Sequence, residues 1–454
     1  MTREDFVGVV KNAVAGLGFD QDAPMVTFPI DVFLIESDLT PVESGKQEFI
    51  DGLLDWKPVA DTKGIRNAEM IDLDVDDYES AVVKTNNLFL SNLWADGLPI
   101  IPPTAEKIDW VLQGTDRPRD EQIGKFMPRG GIVTVETCAI SLAMAGGRPE
   151  YLPVLLAAVE TILHPEMDHD KWQSTSGMTI PVIVVNGPIA KDIRINSGFG
   201  LMGPNPQAPA GGTIGRAIRL MQQNVGGALP GTGTMAIFGA MRFTNAVIAE
   251  AEDMLPEGWE PHATEWHGIE RGTNSVSVFV ATGGSNIIRR GTGKETLEVE
   301  AEDSLRRVAT YMKTANPHYI RGWTDGCAGA VIISPVVANQ LAQLGWTKKK
   351  VREFLWEHTK VDKKTVIDSG LEQWIRASTD PVAQAADIDP WPISRRSDGI
   401  MLLVAGGAHP THNFWLQGNA LTVGKCLVET PSRWKGLLEQ ADRDIGCADD
   451  LCVI

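Results

Sequence analysis

Cysteine is scarce in this chain. Five residues, Cys138, Cys327, Cys426, Cys447 and Cys452, are spread over 454 positions, and an odd, scattered set excludes a disulfide framework. Basic residues are also short: 41 Lys and Arg stand against 59 Asp and Glu, a net charge of −18. That balance lacks the footprint for non-specific nucleic-acid binding or for adhesion to an anionic membrane. No stretch reaches the roughly 18 apolar residues of a membrane-spanning helix. The start, MTREDFVGVVKNAVAGLGF, has no basic leader, long apolar run or small-residue cleavage site, so the expectation is a cytoplasmic protein. The tail CADDLCVI puts Leu451, not a cysteine, at the prenylation position. Cys447 and Cys452 are then either a redox or metal pair, or two free thiols on a frayed terminus.

Apolar residues make up 43% of the chain, enough to offset the entropy of ordering, so a packed fold is expected over disorder. The length suggests about three structural units. Residues 1–85 read as a small N-terminal α/β unit, ending in the acidic stretch MIDLDVDDYES. Residues 86–315 read as a Gly-rich α/β domain, and 316–454 as a C-terminal α/β domain with the cysteine-containing tail. PVIVVNGP, SVSVFVATGG, GAVIISP and IMLLVAGG are near-continuous apolar runs, the pattern of strands covered on both faces. RPEYLPVLLAAVETIL carries apolar residues at helical spacing. The expected fold is therefore α/β: a mixed, mostly buried sheet with flanking helices, in two loosely similar halves.

Four segments carry chemistry-bearing residues. GFGLMG (198–203) matches G-x-G-x-x-G, but PNPQAPAGG follows it and cannot open the helix a dinucleotide fold needs, so no nicotinamide cofactor is expected. The longer Gly-rich loop places Asn196 and Ser197 ahead of a helix starting near Thr213, with Arg216 and Arg219 near its start. That arrangement predicts an anion-binding surface, with Asn196, Ser197 and Arg216 as substrate contacts. In EGWEPHATEWHGIERG, preceded by Glu250 and Glu252, the residues His262, Glu265, His267 and Glu252 are of the types that hold a divalent metal. The spacing is not that of a zinc-binding helix, and His267 with Glu250 suits acid–base work equally. AGGAHPTHNFW puts His409 (a proton-transfer candidate) and His412 (a substrate contact) directly after an apolar strand, where open α/β sheets bind ligands. Gln173, in HPEMDHDKWQSTSG, is a further polar candidate for the same cleft. Cys327 lies on a Gly-flanked turn and is the candidate nucleophile, whereas Cys138 reads as core.

Taken in order, DGLPIIPPT, RGGIVTVETCAISLAMAGGRPEYLPVLLAAVE, VIVVNGPIAKDIRINSGFGLMGP, GRAIRLMQQNVGG and LGWTKKKVREFLWEH resemble the large region that accompanies the UGSC-motif (seleno)protein family. The resemblance spans about residues 88–430. It implies thiol or selenol redox chemistry with a cysteine- or selenocysteine-bearing motif on a separate N-terminal domain. This chain departs from that pattern, since it has no Cys-Gly-Ser-Cys-like run and residues 1–85 hold no cysteine. Three readings stay open. The first is an enzyme acting on a small anionic organic substrate by acid–base or metal-assisted lyase or hydratase chemistry. The second is the large subunit of a thiol- or selenol-dependent oxidoreductase, completed by a small cysteine-containing subunit. The third is a non-catalytic scaffold. A homo-oligomer or such a hetero-oligomer is expected.

Overall fold

The computed structural model describes residues 2–446, except 17–18, 20–22, 35, 58–69, 240–244, 292–293, 315–318, 320–322, 324–325, 379 and 419–421. Cys447 and Cys452 lie outside the described residues. Short strands β1 (Thr2–Arg3) and β2 (Thr27–Phe28) pair in parallel in the N-terminal unit, and β3 (Gln122–Phe126) and β4 (Gly131–Thr134) form a hairpin.

The apolar runs build the main sheet. Its strands are β5 (Ile180–Asn186), β6 (Ala246–Ala249), β7 (Ser275–Ile288), β8 (Gly329–Ile333), β9 (Ile400–Val404), β10 (His412–Gly418) and β11 (Gly424–Leu427). Their order is β6-β5-β7-β10-β8-β9, with β11 paired antiparallel to the first residues of β7, Ser275–Val278. The same three-strand arrangement occurs twice. β5 and β6 are parallel and β7 is antiparallel to β5; β8 and β9 are parallel and β10 is antiparallel to β8. The halves join where β7 meets β10. The two halves thus share one sheet, and β11 returns from the C-terminal segment to pair with β7 of the first.

The sheet curls until its edges meet, and the Ala251 N–H donates to the Val404 carbonyl at 2.8 Å. Alternate residues of each strand therefore face two different cores. Val182, Val184, Ile248, Phe279, Ile332, Met401 and Leu416 fill the inside of the curl. On the outside, Ile183, Val185 and Val278 pack against helices α1 (Val135–Met144), α2 (Leu152–Leu163) and α3 (Pro209–Asn224). Across the other half, Val331, Leu402 and Trp415 pack against α4 (Leu297–Met312), α5 (Pro335–Gln343) and α6 (Lys348–His358). This double burial is why the strands are apolar at nearly every position.

Helix α3 begins earlier than its sequence suggests. It opens at Pro209 rather than near Thr213, whose hydroxyl donates back to the Pro209 carbonyl at 2.9 Å. Proline is well suited to a first helical position. No described helix is long and apolar enough to cross a membrane.

Candidate functional site

Strand β9 ends at Val404, and the loop after it is tied down at Ala405, Gly406, His409 and Thr411. The Ala405 N–H donates to the Ile333 carbonyl at 3.1 Å, and the Gly406 N–H to the Ser197 carbonyl at 2.8 Å. Gly406 takes a φ of +92°, which a side chain would strain. The Ser334 hydroxyl, which also caps α5, donates to the His409 carbonyl. The Arg289 N–H donates to the Thr411 carbonyl at 2.8 Å. The loop delivers His412 to the start of β10. A cleft of about 430 Å³ opens here, lined by Gly200–Gly203, Gly406 and Gly407, with Ile332, Phe414, Asn286, Ser334 and His412. The Gly-rich segment and the Gly-Gly-Ala-His loop are thereby walls of one cleft. A size in the hundreds of Å³ with an apolar body and few polar groups is typical of small-molecule sites.

His409 and His412 form a pair. Their rings stand edge to face, 4.8 Å between centroids. Their Nδ1 atoms are 3.2 Å apart, and each is 2.9 Å from Thr411 Oγ1. His409 is exposed and His412 half-buried. With Nδ1 occupied in both rings, Nε2 is the atom left to meet a ligand.

The other expected substrate contacts have structural partners. Asn196 Oδ1 accepts from the Gly198 N–H and its Nδ2 donates to the Phe199 carbonyl, each at 2.9 Å, so it shapes the Gly-rich turn. Ser197 contributes its carbonyl to Gly406. Arg216 is corrected as an anion contact: its fork grips both oxygens of Asp96 at 2.9 Å and donates to the carbonyls of Leu98 and Pro99. Burial drives the Arg219 guanidinium below its ordinary pKa. Gln173 is fully buried away from the cleft lining, and neither amide atom has a partner among the described residues.

The acidic and histidine candidates form a separate network. Glu250 Oε2 accepts from Asn186 Nδ2 at 3.0 Å and from the His262 N–H at 2.5 Å. Its Oε1 faces Lys348 Nζ at 3.2 Å and the Val404 N–H at 3.4 Å. Glu250 therefore anchors the base of the histidine loop, with both of its oxygens engaged. Glu252 accepts from Asn186 Nδ2 at 2.8 Å and the Gly187 N–H at 2.6 Å, while Glu265 pairs with Arg352 at 2.7 Å. The expected metal set of His262, Glu265, His267 and Glu252 consequently does not converge, because both carboxylates are held by other partners. Among the described residues, no group of three or more His, Cys, Asp or Glu is gathered to hold a metal ion. Burial holds the His262 imidazole well below its ordinary pKa, with Lys348 adding to the effect. Burial also brings His267 down to about 4, helped by Lys425. The Nε2 of each ring is buried without a partner among the described residues.

Cys327 is corrected as a nucleophile. It lies inside the curled sheet at 4% exposure, and burial pushes its thiol up to about 12; a thiol so placed carries almost no thiolate at neutral pH. Cys426 is likewise raised to about 12, by burial and by Glu160, to which it donates at 3.3 Å.

Thr411, Ser334, Asn286 and Lys348 were not anticipated. Thr411 stands between the two histidines in the sequence itself, so its signal was present; the other three arrive by strand register and helix packing. The chain matches no family model, no curated protein and no solved structure.

Proposed function

We propose that this chain is an enzyme of the lyase or hydratase type, acting by acid–base chemistry on a small organic substrate in the cleft beside β8, β9 and β10. The observation that carries this reading is the hydrogen-bonded His409–Thr411–His412 group, whose His412 lines a cleft of about 430 Å³. Loss of water from a β-hydroxy carbonyl compound needs one group to take a proton from carbon and another to protonate the departing hydroxyl. Two imidazoles supply both roles at neutral pH. Ile332, Phe414, Leu201 and Met202 suit the carbon skeleton, and Asn286 supplies a polar contact. Arg216 plays no part in binding an anionic group, being committed to Asp96.

The test is a panel of α,β-unsaturated acids, amides and ketones, followed by loss of the conjugated ultraviolet band as water adds. Wild-type protein is expected to turn over at least one, and His412→Ala to lower kcat by about 10²- to 10⁴-fold. Equal rates in the two proteins, or no turnover across the panel, would reject the reading.

A further inference from the structure

A pair of neutral imidazoles can act as acid and base only if each carries its proton on the right nitrogen. The surroundings of Thr411 settle which. The Thr411 main-chain N–H points at His409 Nδ1 over 3.4 Å. A backbone amide only donates, so His409 Nδ1 is bare and the His409 proton sits on Nε2. His412 Nδ1 lies 3.2 Å from that bare nitrogen and 2.9 Å from Thr411 Oγ1. The single Thr411 hydroxyl hydrogen goes to the bare His409 Nδ1, so Thr411 Oγ1 can only accept from His412 Nδ1, which therefore carries a hydrogen and leaves His412 Nε2 bare. Thr411 Oγ1, 2.9 Å from His409 Nδ1, completes a directed chain: it accepts from His412 and donates to His409. The main chain on both sides is fixed, by Arg289 at the Thr411 carbonyl and by Ser334 at the His409 carbonyl.

We infer that Thr411 is a positioning residue that holds the two histidines in opposite tautomers, His412 as base and His409 as acid. The tautomers follow from the geometry alone; their use in turnover rests on the reaction proposed above. The chain also balances charge. His412 Nε2 takes the proton from the carbon next to the carbonyl. The C–H electron pair becomes the C=C bond, the C–O bond breaks, and the leaving hydroxyl takes the His409 Nε2 proton and departs as water. A neutral imidazole that only donated would become an anion. Here the His412 Nδ1 proton moves to Thr411 Oγ1 as the Thr411 proton moves to His409 Nδ1, so both rings end neutral. Exchange of the two Nε2 protons with water, with the chain running back, resets the pair.

The experiment uses the full chain with nitrogen-15-labelled histidine at about pH 8.5, well above the ordinary imidazole value. A bare ring nitrogen resonates far from a protonated one, and His409→Gln and His412→Gln identify the signals. Wild type is expected to show His409 protonated on Nε2 and His412 on Nδ1. In Thr411→Val, of nearly the same shape, His412 is expected to move its proton to Nε2, with an unchanged backbone amide spectrum reporting an intact fold. Activity is expected to fall about 100-fold, and Thr411→Ser to restore both tautomers and rate. A wild-type His412 protonated on Nε2, or a Thr411→Val spectrum identical to wild type, would overturn the inference. Tautomers that shift as expected while Thr411→Val keeps full turnover would uphold the positioning and reject the reaction.

Discussion

Asp96 is nearly sealed from water, with 3% of its side chain exposed, and Arg216 is the group that makes a charge there tolerable. Burial alone pushes its carboxyl up. The two hydrogen bonds and the charge of Arg216 outweigh that and hold it below the ordinary carboxylate range. Removing one partner of a buried pair leaves the other uncompensated. Arg216→Ala should therefore lower unfolding free energy by about 3 kcal/mol, measured by urea denaturation, while KM in the turnover assay stays within twofold. A large rise in KM with little loss of stability would return Arg216 to the substrate. At this scale, residue type was easier to read than residue role. An arginine near a helix start looks alike in sequence whether it awaits an anion or already holds an aspartate 120 positions away. Cys327 shows the same ambiguity: a thiol among glycines suggested access, but Gly329 lets β10 cross so closely that the cysteine is shut inside.

Helix α3 shows how one missing side chain can set the contact between two elements. A Cβ added at Gly211 would lie 2.5 Å from the Val247 carbonyl oxygen of β6. That atom is backbone and cannot swing aside. Gly211→Ala should force α3 off β6 and destabilise by about 3 kcal/mol, since overpacking at a rigid contact is costly. Chemical denaturation checks it, and a loss under about 0.5 kcal/mol, the scale of an ordinary surface substitution, would show that the two elements yield. The Gly-Gly at 211–212 favoured a loop in the sequence because glycine weakens helices; packing against β6 overrides that weak preference. The main strands were legible for the opposite reason, since a strand buried on both faces writes its burial into every residue. Their order was not legible. β7 serves three neighbours along its length, and nothing local in SVSVFVATGGSNII says where one pairing ends and the next begins.

Across the whole molecule, the curled sheet divides the histidines into two kinds. His409 is exposed and His412 half-buried, whereas His262 and His267 are held neutral by burial, with Lys348 adding to the effect on the first and Lys425 on the second. The second kind links stability to pH. An unfolded imidazole takes up a proton near 6.5, but the folded His267 resists until about 4. Between those values the unfolded chain binds more protons than the folded one, so stability falls as pH is lowered through the window and is unaffected by this residue above it. Lowered carboxyls such as Asp96 act in the same direction but further into acid, as the folded state must take up protons it resists. The two contributions separate by difference. In His267→Gln, Tm should fall less than in wild type between pH 6.5 and about 4, and the two proteins should run parallel below it. Identical Tm profiles through that window would mean that His267 already takes up its proton in the folded chain. The packing of the 262–267 helix against the curled sheet would then be open enough to admit water to the ring.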